Sequence, residues 1–268
     1  MPGSIRVPAC LRAVIPCDSE IKLNRRQQSL AEEIEAVDVT AESDIERINR
    51  EMFVPYATAR HGPGAAQVSL SVVKQLAAVG RLRLLRHSGT EVAARLEFPI
   101  ERGGKRYWES CRAGYTERVF SDQKLYGDMN LVNTWIGHQY AREHGFELHD
   151  LGIALARPEG GLLQWKRNRG GYVDAWGNHA WYWVKAPAGQ AASFFWASPL
   201  FGVERHGLIL HVGIPEGRSD SEVTARFQRL YFSGLAEVRI HVRKTMSPAV
   251  LQELRERYGG TKVDVVAN

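Results

Sequence analysis

YGDMNLVNTWIGHQYAREHGFELHDLGIALARPEGGLLQWKRNRGG, residues 126–171, is the stretch on which the fold turns. It opens with a helical period. Leu131, Val132, Trp135, Ile136 and Tyr140 form an apolar stripe, and Gly145 supplies the stop. Phe146 to Ala154 follows directly as a strand. Gly160-Gly161 leads into a short helix, Leu162 to Arg169, ended by Gly170-Gly171. A helix that feeds a strand and then another helix belongs to a layered α/β arrangement.

The residues before this stretch read as antiparallel strands. Thr90 to Ile100 alternates: Val92, Ala94, Leu96, Phe98 and Ile100 share one face, and Ala93, Arg95 and Glu97 the other. Period two of that kind predicts a half-buried strand. Gly103-Gly104 predicts a hairpin turn. Lys105 to Tyr115 alternates again, with Tyr107, Glu109, Cys111 and Tyr115 on a common side. Arg81 to Arg86 is a shorter strand, and Ile34 to Val39 a first one. Between them, Ser43-Asp-Ile-Glu46 has the form of a capping box, and Pro55 closes the helix it opens. Arg60 to Gly64 is a loop, and Val68 to Val79 is a second helix. Residues 1–33 show no clear period and read as an N-terminal arm.

Beyond residue 171, Trp181 to Lys185 is a strand candidate. Leu208 to Ile214 reads as a buried strand. Ser219-x-x-Glu222 opens a helix, Val238 to Val242 alternates, and Ser247-Pro248 starts a final helix through Tyr258. The expected class is mixed α/β: a mixed sheet flanked by helices over residues 34–185, then a β-α-β-α extension over 186–268.

Bulk properties narrow the function classes. No apolar run reaches the roughly 18 residues that span a bilayer. The N-terminal stretch lacks the unbroken apolar centre of a secretory signal, so a cytoplasmic protein without a membrane partner is expected. Three cysteines, Cys10, Cys17 and Cys111, suit neither a disulfide framework nor structural zinc. Neither H-x-x-x-H nor H-E-x-x-H occurs among the nine histidines, and no metal site is expected. The net charge is +5, with 27 arginines against 8 lysines. That excess suits an anionic ligand, and a solvated surface would explain it equally. No helix-turn-helix, zinc-finger or RNP-type pattern points to DNA.

The central stretch resembles the GNAT-like acyltransferases of the FemAB/CelD type. The resemblance is carried by Ala141-Arg-Glu-His-Gly145, Asp150-Leu-Gly152, Gly161-Leu162, Trp165-Lys166 and Gly170-Gly171, in that order. It implies transfer of an acyl or aminoacyl group from acyl-CoA or aminoacyl-tRNA to an amine on a small molecule or peptide, without a permanently bound cofactor. Among partners it admits tRNA. It also implies a donor slot where the fourth and fifth strands of the core part. The family's Q/R-x-x-G-x-G/A pyrophosphate loop has no counterpart in Ser121 to Asn130, which holds only Gly127. That departure fits the FemAB-like branch, or a non-catalytic partner subunit on the same fold.

Residue by residue, the resemblance assigns roles that compete with simpler ones. Glu109 is a general base, or a strand charge facing solvent or paired with Arg112 or Arg95. Lys166 stabilises developing negative charge, or is a solvent-facing cation near a helix C-terminus. Trp165 stacks on the donor or packs. Asp150 orients a neighbour or caps the next turn. Tyr126 and Asn130 face the donor from the start of the central helix, and Tyr172 is a general acid.

Overall fold

The computed structural model describes residues 4–65, 67–176, 180–187, 189–243 and 246–267. Its elements in chain order are β1 (Ile5–Pro8), β2 (Cys10–Pro16), α1 (Arg25–Glu32), β3 (Ile34–Asp38), α2 (Glu42–Ile48), a π-helical turn (Asn49–Phe53), α3 (Val54–His61) and α4 (Leu70–Val79). Then come β4 (Arg81–His87), β5 (Thr90–Arg102), β6 (Lys105–Tyr115), α5 (Glu117–Ser121), α6 (Gln123–Glu143), β7 (Leu148–Leu155), α7 (Gly161–Arg167), β8 (Tyr172–Asp174) and β9 (Trp181–Val184). The chain ends with α8 (Ala191–Ala197), β10 (Leu200–Glu204), β11 (Gly207–Ile214), α9 (Asp220–Arg229), β12 (Glu237–Val242), α10 (Pro248–Tyr258) and β13 (Lys262–Ala267). The class is the expected one, mixed sheets flanked by helices. The first 33 residues, read from sequence as an arm, hold β1, β2 and α1, and Leu11, Ala13, Val14 and Ile15 are buried.

Contacts divide the chain into two compact units, Ile15–Gly152 and Met1–Val14 with Ile153–Asn268. In the first, the strands lie in the order β3-β4-β5-β6-β7. The first four form an antiparallel meander, and β7 joins β6 in parallel. One face carries Leu82, Leu84, Ala94 and Leu96 against Ile45, Ile48, Met52, Phe53 and Val73 of the α2–α4 segment. Ala93 and Tyr115 pack with Val119 and Met129, from α5 and α6.

The second unit contains the antiparallel β1–β9 ribbon, the β2–β8 pair and a sheet ordered β10-β11-β12-β13. There β11, β12 and β13 are parallel, joined through α9 and α10. Phe201, Leu210, Val212, Phe227, Leu230, Val238, Ile240 and Leu254 are among its core residues.

Several local expectations change. Ser43 does not cap: α2 begins at Glu42 behind Ala41. Pro55 does not end the helix. It enters the first turn of α3, directly after the π-turn whose wider hydrogen-bond spacing tolerates its missing N–H. Arg60 and His61 therefore sit in the last turn of α3 rather than in a loop. Of the apolar stripe only Val132 lies on the sheet-facing side of α6. Val132, Asn133, Thr134, Gly137, His138 and Ala141 are its buried residues there, whereas Leu131, Trp135, Ile136 and Tyr140 are half-buried. His206 lies in the β10–β11 turn, so it does not share a strand with His211.

Candidate functional site

Two motifs of the central stretch resolve into backbone devices. Ala141-x-x-x-Gly145 is a Schellman stop. Phe146 N donates to Ala141 O at 2.9 Å, Gly145 N donates to Arg142 O at 3.2 Å, and Gly145 takes φ 69°. Ala141 and Phe146 pack together beside Trp108, the apolar contact such stops carry. Asp150-Leu-Gly152 is a turn inside a strand. Gly152 N donates to Asp150 Oδ1 at 2.8 Å while Gly152 takes φ 77°, a conformation that strongly favours glycine. Asp150 thus does not close the strand, since β7 runs on to Leu155, but it bends it.

The bend parts two strands. β6 and β7 pair at Tyr107↔Leu148, Trp108↔His149 and Glu109↔Asp150, and the paired register ends there. On the opposite edge of β6 the ladder to β5 slips at the same level: Glu97 faces Ser110, but Leu96 faces Arg112. Cys111 is the extra residue of a β-bulge. A bulge bends its strand and leaves one residue out of the ladder. It also changes which face the later residues occupy. Cys111 packs with the Leu96 cluster and Arg112 lies over Phe53, while Tyr115 joins Ala93 on the other face. The common side expected for Tyr107, Glu109, Cys111 and Tyr115 therefore does not survive to Tyr115.

Glu109 and Asp150, the last paired residues, meet through Arg102. Its guanidinium bonds Glu109 Oε2 and donates to Asp150 Oδ2 at 2.6 Å. Glu109 is paired, but with Arg102 rather than with Arg112 or Arg95. Asp150 fills both roles foreseen for it, holding Arg102 with one oxygen and the turn with the other.

Directly behind the parting point lies a buried charged cluster, on the face of β5 expected to meet solvent. Arg95 is 3% exposed and Glu97 0%. Glu97 receives Arg83 Nη2 at 2.6 Å and Ser110 Oγ at 3.1 Å, and Arg95 Nε lies 2.5 Å from its Oε1. Arg95 Nη2 reaches Ser110 Oγ and His149 Nε2, the latter at 3.0 Å, and Ser110 Oγ is 2.9 Å from His149 Nε2. Arg95 Nη1 donates to Asn133 O at 2.6 Å. Burial alone would raise the Glu97 carboxyl, but the Arg95 and Arg83 guanidinium groups hold it well below the usual range. Burial, with Arg95 beside it, lowers His149 to about 4, so the ring is neutral. A neutral ring that accepts from Arg95 at Nε2 carries its proton on Nδ1.

α6 makes room for this cluster. A Cβ on Gly137 would lie 2.5 Å from Arg95 Nε. Tyr126 and Asn130 extend it. Arg95 reaches Asn133, whose Nδ2 donates to Tyr115 Oη at 3.1 Å; Tyr115 Oη donates to Asn130 Oδ1 at 3.0 Å. Asn130 Nδ2 donates to Tyr126 Oη at 3.2 Å, and Tyr126 Oη lies 2.6 Å from Tyr56 Oη. Both residues called from sequence as donor-facing thus belong to one polar relay. The N-terminus of α6 is closed by its own cap, for Asp122 Oδ1 accepts from Lys124 N and Leu125 N at 2.9 and 3.0 Å.

Lys166, Trp165 and Tyr172 belong to the second unit. Lys166 is not solvent-facing: it is 3% exposed and donates from Nζ to Ile153 O at 2.9 Å. Half-buried Trp165 carries the Arg169 guanidinium 3.7 Å above its ring. Tyr172 opens β8 opposite Val14. Among the described residues no group of three or more His, Cys, Asp or Glu could hold a metal ion, and no helix is long and apolar enough to cross a membrane.

Sequence reading missed Arg83, Arg95, Glu97, Arg102, Ser110 and His149. The available signal was a charge pair, Arg95 and Glu97, at i and i+2 inside a long apolar strand. Two like-sided opposite charges can satisfy one another when covered.

No protein-family model matches the sequence, and no curated protein matches it. Solved structures show partial likeness to the chain. L-PGS from Bacillus licheniformis is 12% identical, with 57% of this chain and 49% of that one covered and a TM-score of 0.41. The C-terminal DUF2156 domain of a protein from Agrobacterium fabrum, proposed to be a lysylphosphatidylglycerol synthetase, is 18% identical over 57% and 49%, with a TM-score of 0.37. A GCN5-related N-acetyltransferase from Kribbella flavida is 20% identical over 56% and 49%, with a TM-score of 0.33. The matches thus span about half the length of each of these proteins, and none carries an activity to this chain.

Proposed function

We propose that the chain is an N-acyltransferase that passes an acyl or aminoacyl group from an activated thioester or ester to an amine. One observation carries the reading. The bulge at Cys111 and the last β6–β7 pair, Glu109↔Asp150, lie within two residues of each other, so two parallel neighbours part beside a backbone segment outside its ladder. Such a slot admits a flat carbonyl edge-on. Amides of β6 beyond the last β6–β7 pair face the slot and can receive its oxygen as it becomes an oxyanion.

The chemistry asks little more. The amine nitrogen bonds to the carbonyl carbon, and the C–S or C–O bond to the donor then breaks, the departing thiolate or alkoxide taking up the second proton that the attacking nitrogen sheds. The proton leaving the ammonium goes to Glu109 at the slot's mouth, directly or through water. Arg102 holds that carboxylate and Asp150 in one place, which is positioning of the kind direct transfer depends on. The cluster of Arg95, Glu97, Ser110 and His149 fixes β6 from behind. The reading uses residues of Ile15–Gly152 alone. Asp122 already occupies the α6 N-terminus, so the proposal places no donor phosphate there. Acyl-CoA and aminoacyl-tRNA both stand as donors.

Glu109 is also held by a guanidinium, and this favours a second reading, a non-catalytic partner subunit. Mass spectrometry separates the two. The full chain is incubated with panels of acyl-CoA and charged tRNA and with amine acceptors. Acylated acceptor, lost by about a hundredfold in Glu109→Gln, is the expected result. Unchanged acceptors with every donor, and no donor binding, would leave the partner-subunit reading.

A further inference from the structure

A cavity of about 290 Å³ lies in the C-terminal unit, apart from the residues used above. Its place follows from the topology. Ile214 and Val242 are the last residues of β11 and β12 and stand opposite each other in the parallel register. Both line the cavity, together with Val223 of α9 and Val250 of α10. The space thus opens at the carboxyl ends of two adjacent parallel strands, between the starts of the helices that follow them. Helix starts at such places can point their amides toward a ligand.

Size and lining limit the occupant. A space of this size suits the body of a small molecule. The aliphatic side chains of Ile214, Val223, Val242 and Val250 offer an apolar floor. Polar groups of both signs share the lining: the acids Glu216 and Asp220, the latter in the first turn of α9, and Arg218, which is bonded to Glu222 at 2.9 Å. The two helix starts differ. Ser219 and Glu222 close α9 with a full capping box, while the N-cap Ser247 of α10, also in the lining, makes no side-chain cap.

We propose that this cavity binds a small zwitterion with an apolar body, of the class of α-amino acids with aliphatic or thioether side chains. The side chain lies on the apolar floor, the ammonium faces Asp220, and the carboxylate faces Arg218 and the open start of α10. Neither a purely apolar nor a singly charged molecule satisfies both signs of charge.

The test is calorimetric titration of the full chain with the free amino acids, and with analogues lacking either charged group. Saturable binding of leucine, valine, isoleucine or methionine is expected. Isovalerate and isobutylamine should bind roughly tenfold more weakly or worse, each having lost one charge-assisted contact. Asp220→Asn and Arg218→Gln, both at the rim, should each weaken the amino acid by a similar factor while the circular dichroism spectrum stays unchanged. Met246→Trp should close the space and abolish binding. No binding by any amino acid at millimolar concentration overturns the proposal. So does isovalerate binding as tightly as leucine, or a folded Met246→Trp variant that binds like the parent. None of these readouts depends on acyl transfer, so they separate this site from the proposed enzyme.

Discussion

Arg95 sits where water does not reach, and that single fact sets much of the chemistry around it. A guanidinium 3% exposed is tolerable only when its charge is matched and most of its donors are used: Glu97 supplies the counter-charge, and Ser110, Asn133 and His149 accept from the two terminal nitrogens. Removing the counter-charge by Glu97→Ala should cost about 3–5 kcal/mol, since two buried guanidinium groups lose their partner. Urea unfolding checks this, and a loss under 1 kcal/mol would show the cluster to be wetter than it is drawn. The same groups give an acid dependence. Glu97 has a lowered folded pKa, so the unfolded chain binds its proton first, and stability falls as pH drops below the ordinary carboxyl value of 4.5. His149 is lowered to about 4 from 6.5, so between those values the unfolded chain again holds more protons and stability falls with acid. Burial lowers His211 to about 3 and His241 to about 4, which adds the same sign in the second unit. The slope of unfolding free energy against pH between 4 and 6.5 should therefore drop by close to one proton in His149→Gln, with the remaining histidines keeping the rest.

At the scale of elements, what the sequence disclosed depends on whether local chemistry or distant cover decided the outcome. Gly103-Gly104 took positive φ at both residues, and Ser219 with Glu222 closed both halves of a capping box, because each is a bargain among neighbours in the chain. The face of β5 could not be read that way. Arg95 and Glu97 look like a solvent side until α6 covers them, and α6 can do so because Gly137 is small and Asn133 is polar. The same cover explains why most of the apolar stripe of α6 lies off its sheet-facing side. The bulge was hidden for another reason: one extra residue in β6 leaves no mark in alternation, yet it turns Tyr115 to the opposite face. Gly137→Ala should therefore cost about 1–3 kcal/mol, since its methyl would meet Arg95 at 2.5 Å. Gly127→Ala on the same helix meets nothing within 4 Å and serves as the control, expected to be neutral or slightly stabilising. Equal melting temperatures for the two would remove α6 from the account of the cluster. Deleting Cys111 is the sharper element-level experiment. It straightens β6, so amide exchange in Arg112 to Tyr115 should slow as the strand zips, and acyl transfer should be lost with the slot. Transfer at the parental rate in a folded deletion variant would sever the bulge from function.

Across the whole molecule the arginine excess divides into two populations. Arg83, Arg95 and Arg102 are buried and matched by carboxylates, and Arg6 and Arg169 each lie 3.7 Å above a tryptophan ring. These are structural, so residue counts overstate the charge available to a ligand. The net +5 survives the subtraction of matched pairs, because each pair removes one charge of either sign. A field of that sign draws anionic donors and is weakened by salt. If the donor's phosphates meet even two of the remaining cations, raising monovalent salt from about 50 to 200 mM should raise its KM about tenfold, with kcat unchanged. A transfer RNA contacting more phosphates would give a steeper slope than a CoA ester, so the slope itself discriminates between the two donors. Initial-rate kinetics at four salt concentrations measure it. A KM for the donor that stays flat would mean that the positive excess plays no part in capture, and that the slot beside Glu109 binds its donor through the acyl group alone.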